Sequence, residues 1–73
     1  MNKVSIHERI NDGRWAQVGT GELQGNRIVD CAADIGDDVY GALEGAIEYR
    51  DGAVVPGSYA REVGDSEYRV DVE

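Results

Sequence analysis

Apolar and polar residues alternate near both ends of this chain, and a helical spacing occupies one stretch between them. Over residues 3–10, Val4, Ile6 and Ile10 fall on one side, with Lys3, Ser5, His7 and Arg9 on the other. That is the period of a half-buried strand. Asn11-Asp12-Gly13-Arg14 follows, and Asp-Gly between two strand-like runs predicts a hairpin. The returning strand covers residues 15–22, with Ala16 and Val18 on one face and Trp15 and Gln17 on the other. Gly19 and Gly21 mark a bulge or bend within it. A turn over residues 23–26 leads to a third strand, 27–33, whose small apolar run predicts a central place in the sheet.

Residues 34–50 are the helix candidate. Val39, Leu43, Ala46 and Ile47 recur at helical spacing on one face. Gly36-Asp37-Asp38 supplies an acidic start with a capping aspartate, Arg50 suits the C-terminal end, and Asp51-Gly52 stops the helix. Gly41 and Gly45 each cost roughly 1 kcal/mol against Ala, so the helix depends on tertiary packing. Their four-residue spacing allows close approach to the sheet or to a partner. Residues 53–57 form a short apolar segment ended by Pro56-Gly57. Strands are predicted over 58–63 and 67–72, with Tyr68, Val70 and Val72 facing in and Glu67, Arg69, Asp71 and Glu73 facing out. The expected order is β-β-β-α-β-β: a small single α+β domain over residues 1–73, with about five antiparallel strands and one helix packed on them.

Charge changes the picture. Residues 1–30 balance four basic against four acidic residues. Residues 31–73 hold Arg50, Arg61 and Arg69 against eleven carboxylates, so the entire formal charge of −8 lies there. Such a field attracts cationic surfaces and repels nucleic acid and anionic membrane. No apolar run approaches the ~20 residues needed to span a bilayer, and the residues after Met1 form no secretory h-region. A single cysteine, Cys31, excludes an internal disulfide framework. The expected location is the cytoplasm.

Candidate chemistry is sparse. His7 and Cys31 are each alone of their type; His7 reads as a solvated surface residue and Cys31 as a core residue within a strand. Transition-metal binding needs several His or Cys ligands. The acidic run at residues 34–38 lacks the EF-hand spacing, and the glycines form no phosphate-binding motif. No catalytic, cofactor-binding or metal-binding residues are expected, and no enzyme activity. The basic stripe of Lys3, His7 and Arg9 fits either a small anionic contact or an edge strand guarded by mixed charge.

The helix surface is sharper. At 100° per residue, Asp37, Glu44 and Glu48 project within about 40° of one another, opposite the apolar face. Asp34 lies near the same line and Tyr40 flanks it. A stripe of carboxylates can imitate backbone phosphates and engage an Arg/Lys groove. Glu67 and Asp71 on the last strand extend the acidity. Asp34, Asp37, Asp38, Tyr40, Glu44, Glu48, Glu67 and Asp71 are therefore the candidate partner-binding residues.

The expectation that follows is a non-enzymatic inhibitor or adaptor that occupies the basic, nucleic-acid-binding surface of another protein. In size and charge alone it is comparable to the acidic anti-restriction and anti-CRISPR proteins of bacteriophages. Two alternatives stand beside it. One is a halophile-adapted domain that self-associates through an edge strand, its acidity serving solubility. The other is an antitoxin-like α+β regulator.

Overall fold

Three two-residue turns govern the connectivity. A computed structural model describes residues 2–11 and 13–73. In it, β1 (Asn2–Ile10) pairs antiparallel with β2 (Ala16–Gln24), and β2 pairs with β3 (Arg27–Val29). The turn between β2 and β3 is Gly25-Asn26, with Gly25 at φ +62°. Strands β6 (Gly57–Val63) and β7 (Ser66–Val72) meet through Gly64-Asp65, with Gly64 at φ +65°. Glycine at the first central position is the pattern of a type II′ hairpin turn, whose twist matches the strands it joins. The third such turn, Asp51-Gly52, has positive φ at both residues (54° and 80°) and closes a small separate hairpin, β4 (Tyr49–Arg50) with β5 (Ala53–Val54).

The main sheet has the order β3-β2-β1-β7-β6, fully antiparallel. Helix α1 (Asp37–Ala46) packs on it, chiefly against β6 and also against β7 and β3. The fold is α+β, as expected, and the five expected strands are the five of this sheet. Val4, Ile6, Leu23, Val70 and Val72 from the sheet meet Val39, Leu43 and Ile47 from the helical segment in one buried cluster. Ile6, Leu43 and Val70 are wholly enclosed.

Several boundaries differ from expectation, each for a local reason. The third strand is short and lies at an edge rather than the centre. Asp30 adopts φ +54° and turns the chain out of the strand, so Cys31 to Ala33 crosses over β2 instead of pairing beside it. There the absent side chains of Gly19 and Gly21 make room: a Cβ on Gly19 would sit 2.7 Å from Ala33 Cβ, and one on Gly21 2.8 Å from Cys31 Cβ. A register shift at Ile6/His7 also places a bulge next to Gly19. Cys31 is accordingly a half-buried loop residue that packs against the core.

The helix begins three residues late and ends four early. Gly36 is its extended N-cap, with no side-chain cap, and Ile47 leaves it at ψ 133°. Arg50 and Asp51-Gly52 belong to the β4–β5 hairpin, not to a helix terminus. Strand β1 is central rather than an edge, which removes an edge-guarding role for Lys3, His7 and Arg9. Ile10, expected to face in, is 52% exposed. Trp15 precedes β2 instead of starting it. Strands β1 and β2 pair as the Asp12-Gly13 signal implies, although Asp12 itself lies outside the described residues.

Candidate interaction surface

The candidate residues separate into three settings. Around the helix start, the Ile35 N–H donates to Ala33 O in a tight turn, and the Val39 and Tyr40 N–H groups donate to Gly36 O. Asp34, Asp37 and Asp38 are exposed there. The Asp38 carboxylate folds back over Gly36, accepting from the Val39 N–H at 3.0 Å; a side chain on Gly36 would collide with it at 2.6 Å. Both first-turn aspartates complement the positive end of the helix dipole. Among the described residues, none of these three carboxylates has a Lys or Arg within ion-pair distance.

Further along the helix the carboxylates turn to structural use. Glu44 is half-buried, and its Oε2 accepts the Ile28 N–H of β3 at 2.8 Å. Leu23 and Ile28 sit one step beyond the pair that closes the β2–β3 turn, so the Ile28 N–H points away from β2. Glu44 thus supplies the acceptor that an edge strand lacks. Tyr40 is also turned inward, its hydroxyl 3.3 Å from both Cys31 O and Ala33 O. Burial first, and then Cys31, pushes its phenol up to about 12, so it remains a donor to that crossing segment. Glu48 lies beyond the helix end and pairs with Arg50 at 3.0 Å. The expected stripe of Asp37, Glu44 and Glu48 is therefore broken.

Glu67 and Asp71 lie on the opposite face of the sheet from the helix, in a half-buried polar layer. Glu67 pairs with Arg9, and Asp71 accepts both Nε and Nη2 of Arg69 at 2.9 and 3.0 Å. Both guanidinium groups lie over the Trp15 ring, at 4.9 and 4.8 Å from its centroid. Burial works to raise the Asp71 pKa, but the cross-strand Ser58 hydroxyl, Arg69 and His7 outweigh it, and the carboxyl is held below its usual range. His7 is not a solvated surface residue: its side chain is 15% exposed, with Nδ1 3.6 Å from Asp71.

One carboxylate, Glu8, escaped the sequence reading of the candidate surface. Glu8 sits opposite Tyr68 across β1 and β7. A hydrogen bond to Glu8 leads the causes that raise the Tyr68 pKa, followed by burial, and the Asp38 charge also contributes. Glu8 itself is half-buried. Its alternation with Val4 and Ile6 assigns it an inward face, but unlike them it is not fully enclosed.

Among the described residues, no three His, Cys, Asp or Glu side chains converge as metal ligands would, and no helix is long and apolar enough to cross a membrane. No family model, curated protein or solved structure matches this chain. The physical content of the surface is thus its charge. Asp30, Asp34, Asp37, Asp38, Glu44, Glu48 and Asp51 stand against the single cation Arg50 within residues 30–52, and of these only Glu44 and Glu48 accept from another element or pair with a cation among the described residues.

Proposed function

We propose that this chain is a non-enzymatic, cytoplasmic protein-binding module, an inhibitor or adaptor that docks its acidic helix start onto the basic, nucleic-acid-binding surface of another protein. The observation that carries this reading is the exposure of Asp34, Asp37 and Asp38 with no cationic partner inside the described chain. Carboxylates already used internally, as Glu44, Glu67 and Asp71 are, have less to offer a partner. Free carboxylates clustered in a field of one sign steer a basic partner and gain charge-assisted hydrogen bonds on contact.

The test is capture of host proteins on the immobilised chain, with duplex DNA as competitor and a salt gradient for elution. A nucleic-acid-handling protein displaced by DNA, released as salt rises, and lost with the D34K/D37K/D38K variant is the expected result. Retention by a folded triple variant sinks the acidic-surface reading. Recovery of the bait alone, with unfolding at low salt, assigns the acidity to solubility instead.

A further inference from the structure

The two edges of the sheet are treated differently. Strand β3 is three residues long, and its outward N–H at Ile28 is occupied by Glu44. Strand β6 is seven residues long, contains no proline after Pro56, and exposes Gly57, Ser58, Ala60, Arg61 and Glu62. Its hydrogen-bonding parity follows from the turn. Val63 and Ser66 flank the two-residue loop, so they form a hydrogen-bonded pair, as do Arg61 with Tyr68 and Tyr59 with Val70. The backbone groups of Ser58, Ala60 and Glu62 therefore point outward. The Arg61 guanidinium donating to Ala60 O at 2.8 Å agrees with this, and it is the one hydrogen bond these outward groups receive among the described residues.

We propose that β6 is a self-association edge, pairing antiparallel with β6 of a second copy about a two-fold axis through Ala60. This register uses every outward group: Ser58 faces Glu62 of the second copy, Ala60 faces its own counterpart, and Glu62 faces Ser58. Sliding the strands by two residues in either direction loses one of these pairs, and in one direction also sets the two Arg61 side chains against each other. On the helix side of the sheet, Arg61 gives up Ala60 O, which the Ala60 N–H of the second copy takes, and meets Tyr59 of the second copy, a cation against an aromatic face. On the other side, Ser58 of each copy stands opposite Glu62 of the other, its hydroxyl proton remaining with Asp71. The strand is complementary to itself in backbone hydrogen bonding, and in this register no like charges face each other, which selects a second copy as its occupant. The pairing continues the sheet across the two-fold and removes an open edge.

This pairing is independent of the acidic helix start, and salt separates them. Two copies at −8 each repel, so self-association strengthens as salt screens them, from about 0.05 M to about 0.5 M, whereas docking onto a basic protein weakens. Sedimentation equilibrium of the intact chain is expected to show the average mass rising toward twice the monomer value with concentration, and sooner at the higher salt. Ala60→Pro removes an outward N–H without touching the ladder to β7, so its mass stays that of the monomer. Should that variant fail to fold, amide exchange of the unmodified chain decides the matter: Ser58, Ala60 and Glu62 slow about tenfold on raising the concentration, while Tyr59 and Arg61, already paired, do not. A chain that stays monomeric throughout the series, a folded Ala60→Pro variant that still dimerises, or slowing without this alternation overturns the proposal.

Discussion

Strand β2 and helix α1 each carry a pair of glycines, and the pairs live in opposite surroundings. Gly19 and Gly21 lie beneath the Cys31–Ala33 crossing, where an added Cβ meets other atoms at under 3 Å. Gly41 and Gly45 face solvent, and a Cβ at either would meet nothing within 4 Å. The first pair exchanges strand propensity for a close approach that lets a loop close over one end of the core. The second lowers helix stability with no packing return inside the domain. The same residue is a packing requirement in one element and an unrecovered cost in the other.

The largest effect should come from filling the space above β2. At Gly21 the obstruction includes the Val29 carbonyl at 2.8 Å as well as Cys31, so backbone must move. Gly21→Val is expected to destabilise by about 2–3 kcal/mol, at the upper end of overpacking costs. For a domain of this size that lowers Tm by roughly 10–20 °C, or prevents folding. Thermal melts followed by far-UV circular dichroism read it, and an unchanged Tm would show that the crossing segment does not rest on β2.

The fastening of the same region is tested next. Glu44→Ala leaves the Ile28 N–H without its acceptor, at a cost of about 1–2 kcal/mol, while Glu44→Gln keeps a carbonyl in reach and should lose less. Amide exchange at Ile28 localises the effect: it accelerates in the alanine variant and stays near the original rate in the glutamine variant. Equal acceleration in both would mean that the carboxylate charge, not the acceptor, holds the edge.

What could be read beforehand divides along the same line. The alternation of Val4 and Ile6, and of Val70 and Val72, marked β1 and β7 as half-buried strands, because period-two burial is a local property, whereas their central place in the sheet rests on pairings that alternation does not show. The Val39, Leu43 and Ile47 spacing placed the helix's inner face. The long third strand was misread because Cys31, Ala32 and Ala33 are apolar enough to continue it, while the turn at Asp30 depends on a single backbone angle. Asp51-Gly52 carried a type I′ hairpin signal that a helix-stop reading absorbed. Glu44 and Tyr40 looked like surface residues because helical angle alone does not show which strand edge or loop lies along the helix flank. Glu67 and Asp71 were correctly placed away from the core. Their absorption into pairs with Arg9 and Arg69 required the register of β1 against β7.

The smallest effect carries the sharpest information about the exposed side of α1. Gly41→Ala and Gly45→Ala should each stabilise the domain by up to about 1 kcal/mol, since the helix gains propensity and nothing obstructs the new methyl group. Urea denaturation at unchanged m-value measures the gain, and a loss would show that these positions are not open in the folded chain. The double variant then bears on the acidic helix start, because Asp37 and Asp38 occupy the first turn of the same helix. If it is more stable and captures the same DNA-displaceable protein, contact is confined to the carboxylates and the glycines are a cost without a counterpart. If it is more stable and capture fails, the bare backbone between the two glycines is where the partner lies against the helix. Stability rising as binding falls separates a contact surface from a fold defect, a distinction that charge reversal at the aspartates cannot make alone.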